Sequence, residues 1–152
     1  MTALGVSEPD MQAFNSNPAL TPTLRRSILA SLTALSGAAG RAQAVALASN
    51  CATRQQARFY AQALGILVKQ QASGGATITG IKIFGRLPAA VDATGALLLP
   101  MASDYVSWTP ETAAFVTRED LAGMRPKVLH TGMFSPMAAA ELARRGWVTV
   151  QL

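Results

Sequence analysis

The feature that most constrains this chain is a change of hydrophobic period at Ser73-Gly74-Gly75. Before it, Leu24, Ile28, Leu32 and Leu35 recur at helical spacing. Phe59, Tyr60, Ala63, Leu64, Ile66 and Leu67 then give the wide apolar face expected of a helix packed on two sides. After it, Thr77 to Phe84 alternates with period two and is rich in β-branched residues, the mark of a strand. Helices gathered before a break and strands after it predict an α+β fold: an N-terminal helical layer packed on a small mixed sheet. At 152 residues, a single domain spanning 1–152 is expected. Within it, 1–20 is expected to pack loosely, 21–75 to form the helical part and 76–152 the sheet part.

Local signals place the elements. Ser7 caps a short helix carrying Met11 and Phe14 on one face, broken between Asn15 and Pro18. Thr21-Pro22 starts the next helix, since a threonine hydroxyl can accept from a free amide and proline lacks the N–H that would otherwise go unpaired there. Gly37 is its natural stop. Arg41 to about Gln71 reads as helical, with a break near Ser49-Asn50 and a restart at Thr53. Asp92-Ala-Thr-Gly95 joins Leu87–Val91 to Ala96–Met101 as an antiparallel hairpin. Pro88 and Pro100 cannot donate to a ladder and so mark strand ends or an edge. Asp104 to Trp108 is a short strand, Thr109-Pro110-Glu111 opens a helix over 112–117, and a polar loop runs over 118–126. The end of the chain is a βαβ unit: a strand from Lys127, a glycine turn, a helix from Pro136 to Arg145, a stop at Gly146 and a strand to Val150. Its two strands are expected to be parallel, with a right-handed crossover.

Composition narrows the function classes. Only 14% of residues are charged, against about 25% in ordinary soluble domains. The excess of alanine suggests a compact bacterial domain. The net charge of +5 comes from few acids, and no run of basic residues exists, so nucleic acid is not the expected partner. A metal site needs three or four ligands, and no His/Cys cluster exists to join His130 in one, so no metal is expected. No disulfide within the chain is open to a lone Cys51. No apolar run is long enough to span a bilayer, and no signal peptide is visible. No nucleotide or nucleophile-elbow motif is present, and no cofactor is expected.

Five groups of residues remain as candidates. In the turn from His130 to Pro136, Thr131, Gly132 and Ser135 precede a capped helix, where free amides can hold an anion and a glycine allows close approach. Asp104 lies in an apolar neighbourhood that would raise its pKa if buried, while Trp108 is expected in the core and Tyr105 on the opposite face. His130, the only histidine, is a general-base candidate but sits where a strand-end residue is structural. Cys51, with Arg54 nearby at a helix start, is a candidate for a lowered pKa, although a free cysteine usually acts as a small apolar group. Arg54, Arg58, Arg144 and Arg145 form the basic set, and Arg25-Arg26 is a further solvent-facing or partner-facing spot.

The reading that follows is a non-catalytic interaction or accessory domain whose partner is another protein or the rest of a larger chain. The alternative is a small-molecule or anion-binding domain, with or without enzymatic activity, built on the 131–135 turn with Asp104 or His130. Weak nonspecific nucleic-acid binding comes third.

Overall fold

A computed structural model of the protein describes residues 4–124 and 126–152. The helical layer comprises α1 (Glu8–Ser16), α2 (Pro22–Ala34), α3 (Arg41–Ser49) and α4 (Arg54–Ala72). The sheet part follows as β1 (Ile78–Phe84), β2 (Leu87–Asp92), β3 (Leu97–Met101), β4 (Tyr105–Val106) and α5 (Pro110–Val116). A 3-10 turn (Glu119–Leu121), β5 (Pro126–His130), β6 (Met133–Phe134), α6 (Pro136–Arg144) and β7 (Val148–Gln151) complete it. The α+β fold and the helical layer on a mixed sheet are as expected from the period change. None of the described helices is long and apolar enough to cross a membrane.

The helix starts have local causes. The hydroxyls of Ser7, Thr21, Thr53, Thr109 and Ser135 each accept a first-turn amide, which satisfies a donor the helix cannot pair itself. The end of α1 is closed from outside. Arg25 Nε donates to the Phe14 carbonyl at 3.2 Å and its Nη2 to the Asn17 carbonyl at 3.0 Å. Arg25 therefore does not face solvent or a partner, as its place in the first turn of α2 had suggested, whereas Arg26 is exposed. Asn17 Nδ2 donates to the carbonyls of Ser49 at 2.8 Å and Cys51 at 2.9 Å, pinning α1 to the α3–α4 joint. With Phe14 and Leu20 fully buried, the loose packing expected of 1–20 does not extend to this stretch.

The main sheet has the order β1-β2-β3-β5-β7. The first three strands are antiparallel neighbours, and β3-β5 and β5-β7 are parallel. The β1 edge is covered by the link between α2 and α3, where Ala39 exchanges backbone bonds with Thr79 and Ile81. Gly40 is required at that crossing: its φ is +81°, and a Cβ there would collide with the Ile81 carbonyl oxygen. Both faces of the sheet are covered. Ile81, Ala90, Leu98 and Leu129 pack under the helices. Ala89, Leu97, Leu99 and Val128 face the other way, against Phe115 of α5 and Leu121.

Two prolines shape the middle of this sheet. The β2–β3 register pairs Ala90 with Leu98 and Val91 with Leu97, which carries Pro88 opposite Pro100. The amide of Asp92 bonds the carbonyl of Ala96, so in this ladder the even-numbered pairs are the hydrogen-bonded ones. Pro88 and Pro100 thus meet where both residues should donate, and neither has an N–H. The ladder ends at Ala90–Leu98, while β1–β2 continues to Phe84–Leu87 and β3–β5 to Met101–His130. The prolines were expected at ends or an edge. Each lies one residue in from the end of its strand, but the strands are interior and not edges, and the missing donors face each other.

Candidate functional site

Beyond the proline pair the β2–β3 ladder is unpaired, and a cavity of about 590 Å³ reaches Leu87 and Met101 at that end of the two strands. Its walls come from both layers and from the hairpin tip. The helical side contributes Leu47 of α3 and Phe59 and Tyr60 of α4, the hairpin Phe84 and Leu87, and the far side Met101 and Phe115. Phe59 shows the breach directly: it belongs to α4 yet packs with the cluster on the opposite face of the sheet. Rings, a thioether and aliphatic chains make a lining suited to an apolar ligand.

The polar groups in the lining are mostly engaged in the wall itself. Tyr60 is buried and its hydroxyl donates to the Ala44 carbonyl at 2.6 Å, and burial holds the phenol well above its usual pKa. Asn50 Nδ2 donates to the Ala46 carbonyl at 2.8 Å, and Gln56 Oε1 accepts from the Ala52 amide at 2.9 Å. Cys51 also lines the cavity, half-buried. Burial pushes its thiol up, with Arg86 partly opposing, so the lowered pKa considered from Arg54 is replaced by a raised one. Arg86, in the β1–β2 turn, is exposed and is the one charged residue among the described lining.

The sequence-nominated turn is organised differently from expectation. The β6 strand intervenes between β5 and α6 and pairs in parallel with β4 as a separate two-stranded sheet. The amides of Met133 and Ser135 donate to the carbonyls of Asp104 and Val106, each at 2.9 Å. Ser135 Oγ accepts from the Ala138 amide at 3.1 Å. The Met133, Ser135 and Ala138 amides, which could have met an anion, are thus consumed by β4 and by the cap. Gly132 serves chain packing rather than ligand approach, because a Cβ there would collide with the carbonyl oxygens of Ser103 and Asp104. His130 is buried, its Nδ1 lies 2.7 Å from the Gly132 carbonyl, and its ring meets Phe134 edge-on at 4.7 Å between centroids. Asp104 is exposed, not buried. It shares a recess of about 280 Å³ with Thr131 and Lys69, so the structure brings Asp104 and Thr131 together but leaves Ser135 and His130 occupied elsewhere.

The basic set also divides. Arg144 and Arg145 both bond Glu141, the former at 2.9 Å, and these bonds hold the Glu141 carboxyl below its usual value. Arg145 further sits over the Trp108 ring at 5.0 Å. Trp108 is accordingly half-buried beneath an arginine and not in the core. Arg54 and Arg58 are exposed on α4. Among the described residues no group of three or more His, Cys, Asp or Glu could hold a metal ion.

Sequence reading missed the cavity because its lining comes from separate stretches of chain, most of it apolar residues indistinguishable from core. The signal that could have found it was the pair Pro88 and Pro100, read in register across the hairpin. Compared with protein-family models, curated proteins and solved structures, the chain matches none.

Proposed function

We propose that this chain is a non-catalytic binding domain that holds an apolar small molecule in the cavity between α3, α4, the β1–β2 turn and α5. The observation that carries the proposal is a 590 Å³ cavity walled by Phe59, Tyr60, Phe84 and Phe115, a size and lining typical of ligand sites. The acid, histidine and hydroxyl that chemistry would need do not converge there: Asp104 and Thr131 line a different recess, His130 is held by Gly132, and Ser135 caps α6. Nile red, a neutral apolar dye, should bind with one-site saturation and a blue shift. Leu47→Trp, which takes up part of the cavity from α3, should weaken that binding while the far-ultraviolet spectrum is retained. Equal binding by the filled variant would move the dye, and the proposal, away from this cavity.

A second reading, an interaction domain docking on a protein or on more of its own chain, is favoured by a specific surface. Tyr105 is 57% exposed, Met133 66% and Met137 63%. Tyr105 and Met133 are register partners in the small sheet, and Met137 follows in the first turn of α6, so they form one apolar patch. Met133→Glu with Met137→Glu should lower retention on a phenyl column without changing Nile red binding in the cavity. Unchanged retention would remove the patch as a sticky surface. Nonspecific nucleic-acid binding draws less support, since Arg144 and Arg145 share Glu141 and only Arg54 and Arg58 of the basic set stand exposed without such a partner in the described salt bridges.

A further inference from the structure

The chemistry around the cavity mouth narrows the ligand, on the assumption that the cavity is the binding site. No carboxylate belongs to the described lining, so an ammonium group would find no counter-charge there. Tyr60, Asn50 and Gln56 spend polar atoms on backbone partners. Arg86 is different. It stands at the tip of the two-residue turn between Phe84 and Leu87, where Gly85 takes a φ of +61° and so turns the chain sharply. Its guanidinium has no carboxylate partner among the described residues, and the Cys51 thiol of the lining feels its charge. A second guanidinium lies close by without adding net charge: Arg118 Nη1 is 3.3 Å from the position a Cβ on Gly85 would occupy. The Nε and Nη2 of Arg118 are committed to Asp120 at 2.9 and 2.8 Å. That pair is close to neutral and leaves Arg86 as the uncompensated charge.

We propose that the cavity takes an apolar monocarboxylate, its hydrocarbon body among the rings of Phe59, Phe84 and Phe115 and its carboxylate on the Arg86 guanidinium. One unpaired guanidinium offers a planar fork that matches the two oxygens of a carboxylate, and its single charge balances a single negative charge. Arg86 is then the residue that sets specificity for the head group, and the aromatic wall supplies the bulk of the affinity. Because Arg86 is solvent-exposed, its contribution is that of a partly screened ion pair, about fivefold in affinity, and should shrink as salt is added.

The test is displacement of Nile red by decanoate, decanol and decylamine, each below its aggregation concentration, from the wild-type chain and from Arg86→Gln. Decanoate is expected to displace the dye at about fivefold lower concentration than decanol, with decylamine weakest. Arg86→Gln should erase the decanoate advantage and leave decanol unchanged. The substitution lies in an exposed turn and disturbs no described hydrogen bond, so the variant remains folded. Equal displacement by decanoate and decanol from the wild type would overturn the head-group assignment and leave the cavity standing. A decanoate preference that survives Arg86→Gln would overturn the role of Arg86. A dye that never binds, or that none of the three displaces, would overturn the cavity reading itself.

Discussion

Asp92 shows how much one side chain can organise. Its Oδ1 accepts from the Thr94 amide at 2.9 Å, the Thr94 hydroxyl at 2.6 Å and the Ala96 amide at 2.9 Å, and so closes the β2–β3 turn. Burial alone would raise this carboxyl, but the bonds from Thr94 and Ala96, with Lys127 nearby, outweigh it and the pKa is lowered. The sign follows: stability from Asp92 is present above the unfolded carboxyl's pKa of about 4 and is lost as pH falls through the lower folded value. Asp92→Ala should cost about 2 kcal/mol at neutral pH, because it strips the buried Ala96 amide of its acceptor. Asp92→Asn keeps the accepting oxygen, so urea titrations should show a smaller loss and a flatter dependence on acid pH. Cys51 carries the opposite sign. Its raised pKa keeps it a neutral thiol near neutral pH, so iodoacetamide should modify it more slowly than a free cysteine. Decanoate should slow the reaction further. Rapid modification unaffected by decanoate would place the thiol outside the cavity.

At the level of elements, the caps and turns could be read from sequence because their causes are local. Ser7, Thr21, Thr53, Thr109 and Ser135 each act within a few residues of their own helix. The break between α3 and α4, the Asp92 turn and the parallel pairing of the strands on either side of α6, β5 and β7, were legible for the same reason. The β6 strand was not: Met133-Phe134 becomes a strand only because β4 lies beside it. The cavity was missed because its lining comes from separate stretches of chain, and the one pairing feature beside it joins two residues twelve positions apart across a hairpin. Pro88 and Pro100 each say only that a donor is missing. That both absences fall at one ladder position follows from the register. A double variant, Pro88→Val with Pro100→Val, restores both donors and should close the ladder. We expect a gain of about 1–2 kcal/mol from the two hydrogen bonds, slower amide exchange in β2 and β3, and weakened Nile red binding. Stabilisation with unchanged dye binding would separate the prolines from the cavity.

At the scale of the whole molecule, the two edges of the main sheet are treated differently. The β1 edge is closed by Ala39, while β7 ends the sheet on the other side and carries no charge or proline from Val148 to Leu152, features that usually guard an edge. The ladder geometry says which groups it offers. Leu152 donates to the His130 carbonyl, and residues facing β5 recur at every second position along the strand. Val148, Val150 and Leu152 therefore bond inward, and Thr149 and Gln151 present their N–H and C=O groups outward. Val148 is 51% exposed and Leu152 37%. An antiparallel second copy centred on Val150 would set Val148 against Leu152 and Thr149 against Gln151, apolar with apolar and polar with polar. Weak self-association rising with concentration is the expected behaviour, read by sedimentation velocity. Thr149→Pro removes an outward donor and leaves the bonds to β5 intact, so it should suppress association with little change in stability. Val150→Pro removes an inward donor and should destabilise the fold by about 3 kcal/mol, the cost of proline inside a hydrogen-bonded element. Equal stability of the two variants would show that the outward and inward assignments are wrong, and a strictly monomeric wild type would show that this edge does not recruit a second copy.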